Sequence, residues 1–171
     1  MTVLQTSISS TVPDWEREKK SRGNYEPWKN FLATIRRYQQ LKAGNSIAKK
    51  LLPLIVAKHR FWSAVCGIDI PLRTQLGGGL IMTHPNGIVI HPDALIGVNC
   101  LILQQVTIGV GPVEGTPIIG GHVDIGAGAK ILGGIHIGNH VKIGANSVVL
   151  QDVPEWSTAV GIPAKIIRKA F

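Results

Sequence analysis

From Ile70 onward, aliphatic residues recur at every sixth position in three unbroken runs: Ile70, Leu76 and Met82; Ile90, Ile96, Ile102 and Ile108; Ile119, Ile125, Ile131, Ile137, Ile143 and Val149. A period of six fits neither the 3.6 of a helix nor the 2 of a long strand. It calls for a short straight segment, a turn and another straight segment, which is the signature of a solenoid. Three such units close a triangular coil, and stacked coils line the aliphatics into an inner column. The residue after the aliphatic is Gly at 77, 97, 109, 120, 126, 138 and 144, and Gly or Asn is expected at corners where positive φ is needed. Small or medium side chains follow the aliphatic four positions on: Thr74, Ala94, Cys100, Val106, Val123, Ala129, Val141 and Ser147. The register breaks between Met82 and Ile90 and again between Ile108 and Ile119, so material should loop outward at both places. Loops leaving a rigid solenoid are where function collects.

The preceding segment has another period. Trp28, Phe31, Leu32, Ile35, Tyr38 and Leu41 fall at helical spacings, and Gly44-Asn45 interrupts them. Ser46 reads as the N-cap of a second helix carrying Leu51, Leu52, Leu54, Ile55 and Phe61, with Pro53 near its start. The expected organisation is an N-terminal helical region (1–66), a repeat domain (67–153) and a C-terminal tail (154–171).

Composition supports a narrow architecture: among 171 residues there are 20 Gly and only 5% aromatics, too few large side chains for an ordinary core. The net charge of +8 is concentrated in the first third, where residues 1–60 hold 12 Lys/Arg against 4 Asp/Glu. The basic segment 46–66 therefore either rests near anionic lipid or diphosphate, or packs beneath an oligomer. Two cysteines exclude a disulfide framework, and no apolar run is long enough to span a membrane. The first residues lack the order of a secretory signal, so the expected location is the cytoplasm.

Four segments carry a likeness to a known family: GlyLeuIleMetThrHisProAsnGlyIleValIle (79–90), LeuGlnGlnValThrIleGly (103–109), IleGlyAlaGlyAlaLysIleLeuGlyGly (125–134) and LysIleGlyAlaAsnSerValValLeuGlnAspValPro (142–154), followed by GlyIleProAlaLys (161–165). In these the chain resembles the hexapeptide-repeat acyltransferases, and within them the serine acetyltransferase branch. The resemblance implies a mainly β protein, a left-handed parallel β-helix with an N-terminal α-helical segment. It also implies a homotrimer, with acetyl-CoA in a cleft between neighbouring prisms.

His84 aligns with the family's catalytic histidine. Acetyl transfer from a thioester to a hydroxyl needs a base, and imidazole titrates in the right range. Where the family has Asp just before this His, the chain has Thr83, so a backbone carbonyl or another carboxylate such as Asp93 is needed to orient the ring. The likeness places acetyl-CoA against Gly109, Ala127 and Ala145, with Lys165 at its phosphates and Arg168 and Lys169 as alternatives. No metal is expected: the four-residue spacing of His136 and His140 would bring ligands together on a helix, whereas this segment reads as β. His122 and His140, one coil apart, should stack. Cys100 faces inward and no nucleophile elbow occurs, which favours direct transfer in a ternary complex.

A zwitterionic acceptor needs a cation for its carboxylate and an acid for its ammonium. The family's Arg-His pair is replaced here by Gly115 and Thr116 before Pro117, leaving Thr116 as a neutral acceptor-binding candidate. This departure points to a sugar hydroxyl of a surface polysaccharide or its precursor. L-Serine is the alternative acceptor, and a non-catalytic trimeric scaffold the third reading.

Overall fold

A two-residue strand can bury only one side chain, and the chain solves this by stacking such strands into three parallel sheets around one column. The computed structural model describes residues 8–20, 23–45 and 49–168. Face 1 is formed by β2 (Val89–Ile90), β5 (Thr107–Gly109), β8 (Lys130–Leu132) and β11 (Val148–Val149). Face 2 is formed by β1 (Gln75–Leu76), β3 (Leu95–Ile96), β6 (Ile118–Ile119) and β9 (His136–Ile137). Face 3 is formed by β4 (Leu101–Ile102), β7 (Asp124–Ile125), β10 (Lys142–Ile143) and β12 (Ser157–Gly161), with β13 (Ala164–Arg168) antiparallel to β12. The second residue of each short strand is buried, so the six-residue aliphatics form the inner column. The fold is a left-handed parallel β-helix preceded by helices.

Register accounts for both breaks. Ile118 pairs with His136, eighteen residues on, as a regular coil requires. Gln75 pairs with Leu95 at twenty and Leu95 with Ile118 at twenty-three, so two extra residues enter before β2 and five before β6. The first insertion carries His84 on the edge joining face 3 to face 1 (edge 3/1). The second lies on the edge joining face 1 to face 2 (edge 1/2). It does not stand free: Gly133 N–H donates to Gly109 O at 2.8 Å and Gly134 N–H to Val113 O at 3.1 Å, folding the loop onto the next coil.

Positive φ falls at Gly or Asn corners as expected, at Asn99, Gly128 and Asn146, and also at His122 and His140, each two residues after the repeated Gly. What Gly97 supplies is clearance: a Cβ there would stand 2.4 Å from the carbonyl carbon of Gly120 in the next coil. Coils spaced about 4.8 Å apart leave no room for a side chain directed along the axis.

The end of the prism at which the chain enters is closed by α1 (Pro27–Ala43) and α2 (Leu52–Cys66). Trp28, Phe31, Leu32 and Ile35 of α1 join the same core as Ile68 and Ile70. Arg36 ties helix to coil by donating to Leu76 O (2.5 Å) and Gly77 O (2.6 Å) while pairing with Glu18 (2.8 Å). Gly67, at φ 64°, ends α2 in the left-handed conformation that a C-terminal glycine provides. The Ser46 cap lies outside the described residues. Among the described residues no helix is long and apolar enough to cross a membrane. The segment expected as a tail is built onto face 3, where Thr158 pairs with Lys142.

His59 of α2 is buried against α1, hydrogen-bonded to Thr34 Oγ1 (3.0 Å) and tilted against Phe31. Burial holds its imidazole below the ordinary value, only partly opposed by the Ile70 carbonyl and the Asp69 charge. The unfolded chain therefore takes up this proton first. The associated stability is present above about pH 6.5 and is lost as pH falls through the folded value. Thermal unfolding followed from pH 7 to pH 5 should show the midpoint dropping, with a shallower slope in His59→Gln.

Candidate active site

The short insertion places His84 directly before Pro85. His84 sits at φ 53°, in the left-handed region, and is exposed. Among the described residues its ring makes no side-chain hydrogen bond or ion pair, so it is free to engage a ligand. Thr83 beside it is half-buried.

Below His84, edge 3/1 is a continuous track. Gln105 N–H donates to Asn86 O (2.8 Å), Gly128 N–H to Gln104 O (2.8 Å) and Asn146 N–H to Ala127 O (2.8 Å), so successive coils stack corner on corner. The track is lined by Gly126, Ala127, Gly128, Gly144 and Ala145. At its far end lies the last hairpin, where Lys165 is exposed and pairs with Val160, which in turn lies against Gly144. His84, Ala127, Ala145 and Lys165 are thus brought onto one edge, with about 14 Å between the levels of His84 and Ala145 for three coil steps. The side chain of Arg168 and all of Lys169 lie outside the described residues.

The other expected residues lie elsewhere in the protomer. Gly109 ends β5 on the opposite border of face 1, its α-carbon facing His91. Asp93 and Thr116 occupy edge 1/2, where Thr116 Oγ1 donates to Asp93 O at 3.0 Å. Asp93 Oδ1 is 3.5 Å from Arg73 Nη2 and its Oδ2 is 3.9 Å from His91 Nδ1. Within one protomer Asp93 is therefore on a different edge from His84.

The carboxylate whose backbone is bonded into the His84 loop is Asp69, which the sequence reading passed over. Asp69 N–H donates to Ile88 O (2.8 Å), Ile90 N–H donates to Asp69 O (3.0 Å), and Gly87 N–H to Gly67 O (2.7 Å). Asp69 faces outward on face 1, bridged to Val89. The signal was available: Asp69 precedes inward Ile70 as Val89 precedes inward Ile90.

The remaining histidines and cysteines stay outside this edge. On the edge joining face 2 to face 3 (edge 2/3), His122 and His140 lie one coil above the other as expected, their rings edge-on with Nδ1 to Nδ1 at 2.8 Å, and Trp156 stacks on His140 at 3.9 Å. One imidazole donates and the other accepts; burial keeps His122 below its ordinary value. Among the described residues no group of three ligating side chains could hold a metal. Cys100 is wholly buried and its thiol is pushed up to about 11, which removes the thiolate as a nucleophile.

Among the described residues the three-sided coil presents one exposed histidine, His84, at an edge. Residues 116–151 match the family described as bacterial transferase hexapeptide (six repeats). The chain is similar to the hexapeptide-repeat acyltransferases, on the serine acetyltransferase-like branch. The serine acetyltransferase of Synechococcus elongatus is 46% identical over 107 residues, 61% of this chain and 44% of that protein. That of Salmonella typhimurium is 48% identical over 105 residues, 60% of this chain and 38% of that protein. The crystal structure of serine acetyltransferase from Brucella abortus superposes with a TM-score of 0.73 at 34% identity, covering 85% of this chain and 58% of that one. A serine acetyltransferase in complex with CoA gives 0.70 at 35% identity, covering 84% and 57%. The chain spans less than half the length of these two curated relatives.

Proposed function

We propose that the protein is a homotrimeric O-acetyltransferase that uses acetyl-CoA. The observation that carries this reading is the placement of a free, exposed His84 at the head of a track of small residues that ends at Lys165. A thioester lying along that track would present its carbonyl to a hydroxyl held at His84. The imidazole takes the hydroxyl proton as the oxygen attacks the carbonyl carbon, giving a tetrahedral intermediate. Collapse breaks the carbon–sulfur bond, and the leaving thiolate recovers the proton from the imidazolium, so the ring ends as it began. Asp69, bonded into the same loop, is the carboxylate best placed to orient the ring.

Ala145 tests the track. Ala145→Trp adds an indole where the pantetheine arm would lie, on an exposed corner that tolerates bulk. Calorimetry should show CoA affinity falling at least about 10-fold with the unfolding midpoint unchanged.

For the acceptor, the relatives named above support L-serine, while nothing in them supports the sugar expected from the sequence. One observation keeps the sugar as a second reading: the loop from Val110 to Pro117 holds no cation for a carboxylate. Thiol release from acetyl-CoA, measured with L-serine and with neutral oligosaccharides, separates the two. Saturable turnover with serine alone supports the first, and with the saccharide alone the second.

A further inference from the structure

The third edge of the prism is already occupied. Along edge 2/3 the chain's own residues 9–15 lie across the first three coils. Asn99 accepts from Asp14 N–H at 2.8 Å and donates to Ser9 O and Val12 O at 2.7 and 2.8 Å. A Cβ on Gly78 would meet Trp15 at 2.7 Å, and one on Gly121 would strike Ser10 O. This strap shields that edge from a neighbouring prism. Face 1 and its two borders, edges 3/1 and 1/2, lie clear of it. Outward side chains on face 1 include Val89, Thr107 and Val148, small enough for close approach, and its Lys130 is satisfied internally by Gln105 O and Thr107 Oγ1. With face 1 toward a threefold axis, edge 3/1 of each protomer opposes edge 1/2 of the next.

Cyclic symmetry carries no axial shift, so equal coil levels meet. His84 leaves the first coil. At that level edge 1/2 carries Arg73 on the first coil and His91 and Asp93 on the second. Arg73 and Asp93 are loosely paired at 3.5 Å, with side chains 62% and 64% exposed. Such a surface pair contributes little to stability and opens at little cost. It supplies one cation beside one anion, the complement of an α-amino acid's carboxylate and ammonium, next to a loop that lacks a cation of its own.

We propose that Arg73 and Asp93 of the partner subunit bind the α-carboxylate and α-ammonium of an amino-acid acceptor whose side-chain hydroxyl lies at His84. His91 fixes the turn that carries Asp93, its Nδ1 accepting the Asp93 backbone N–H (3.2 Å). The assignment rests on the transfer reading of edge 3/1, and it names the side chains that would set specificity.

The test uses the full chain and two readouts. Arg73→Met should raise the KM for L-serine about 30-fold or more while leaving CoA affinity as it was, and should erase the preference for serine over 2-aminoethanol, which lacks the carboxylate. Asp93→Asn should do the same for the preference over 3-hydroxypropanoate, which lacks the ammonium. Hybrid trimers assembled from equal amounts of His84→Ala and Arg73→Met chains should regain about one quarter of native activity at low serine, because a quarter of interfaces unite an intact His84 with an intact Arg73. A native protein that turns over serine while both variants keep its KM and preferences overturns the proposal, as does hybrid activity no higher than the sum of the parents. A native protein that acetylates only uncharged saccharides also overturns it. No thiol release with any hydroxyl acceptor would instead defeat the transferase reading beneath it.

Discussion

His84→Ala is expected to lower kcat about 100-fold or more while CoA binds as before and the unfolding midpoint stays put. The ring is exposed and, among the described residues, makes no side-chain hydrogen bond, so its removal leaves no cavity and no buried orphan. Loss of activity can then be assigned to the missing base. Asp69→Asn should give a smaller loss, since a neutral side chain still occupies the space beside the loop but no longer favours the imidazolium. Steady-state thiol release, with CoA affinity measured separately, checks both. Native-like kcat in His84→Ala would mean that edge 3/1 does not carry the chemistry.

The largest structural effect should come from the inner column. Ile131 is fully buried and lies in register between Ile108 in the coil on one side and Val149 in the coil on the other. Both neighbouring coils are hydrogen-bonded to its own backbone, so the column cannot slide to fill a hole. Ile131→Ala should therefore cost about 3–4 kcal/mol, and Ile131→Val about 1 kcal/mol. Denaturant midpoints at constant slope would show this. A loss below about 1 kcal/mol for the alanine variant would indicate that the coils do collapse around the gap.

The solenoid was legible because its period is a direct consequence of geometry: one inward side chain per short strand, three strands per coil. The two insertions were legible for the same reason, as slips of a strict register. The role of the repeated glycines was not. Gly97 and Asn99 are two residues apart, and only the stacking of coils distinguishes the first, which provides clearance, from the second, which makes the left-handed turn. The strap of residues 9–15 was also hidden, because Asn99 holds it through contacts distant in sequence. At the candidate site, His84, Ala127, Ala145 and Lys165 could be read from motif positions that the coil then stacks on one edge. Asp69 escaped because its bonds to Ile88 and Ile90, which follow His84, are a ladder between coils, and Arg73 because its partner Asp93 lies one coil further on.

Transfer at His84 requires an acyl donor lying along edge 3/1 between protomers. A crystal structure of the protein with CoA tests this most directly. The predicted result is a trimer with the coenzyme thiol at His84, the pantetheine arm over Ala127 and Ala145, and the phosphates toward Lys165. CoA bound along another edge, or a trimer in which His84 faces open solvent away from every neighbour, would contradict it.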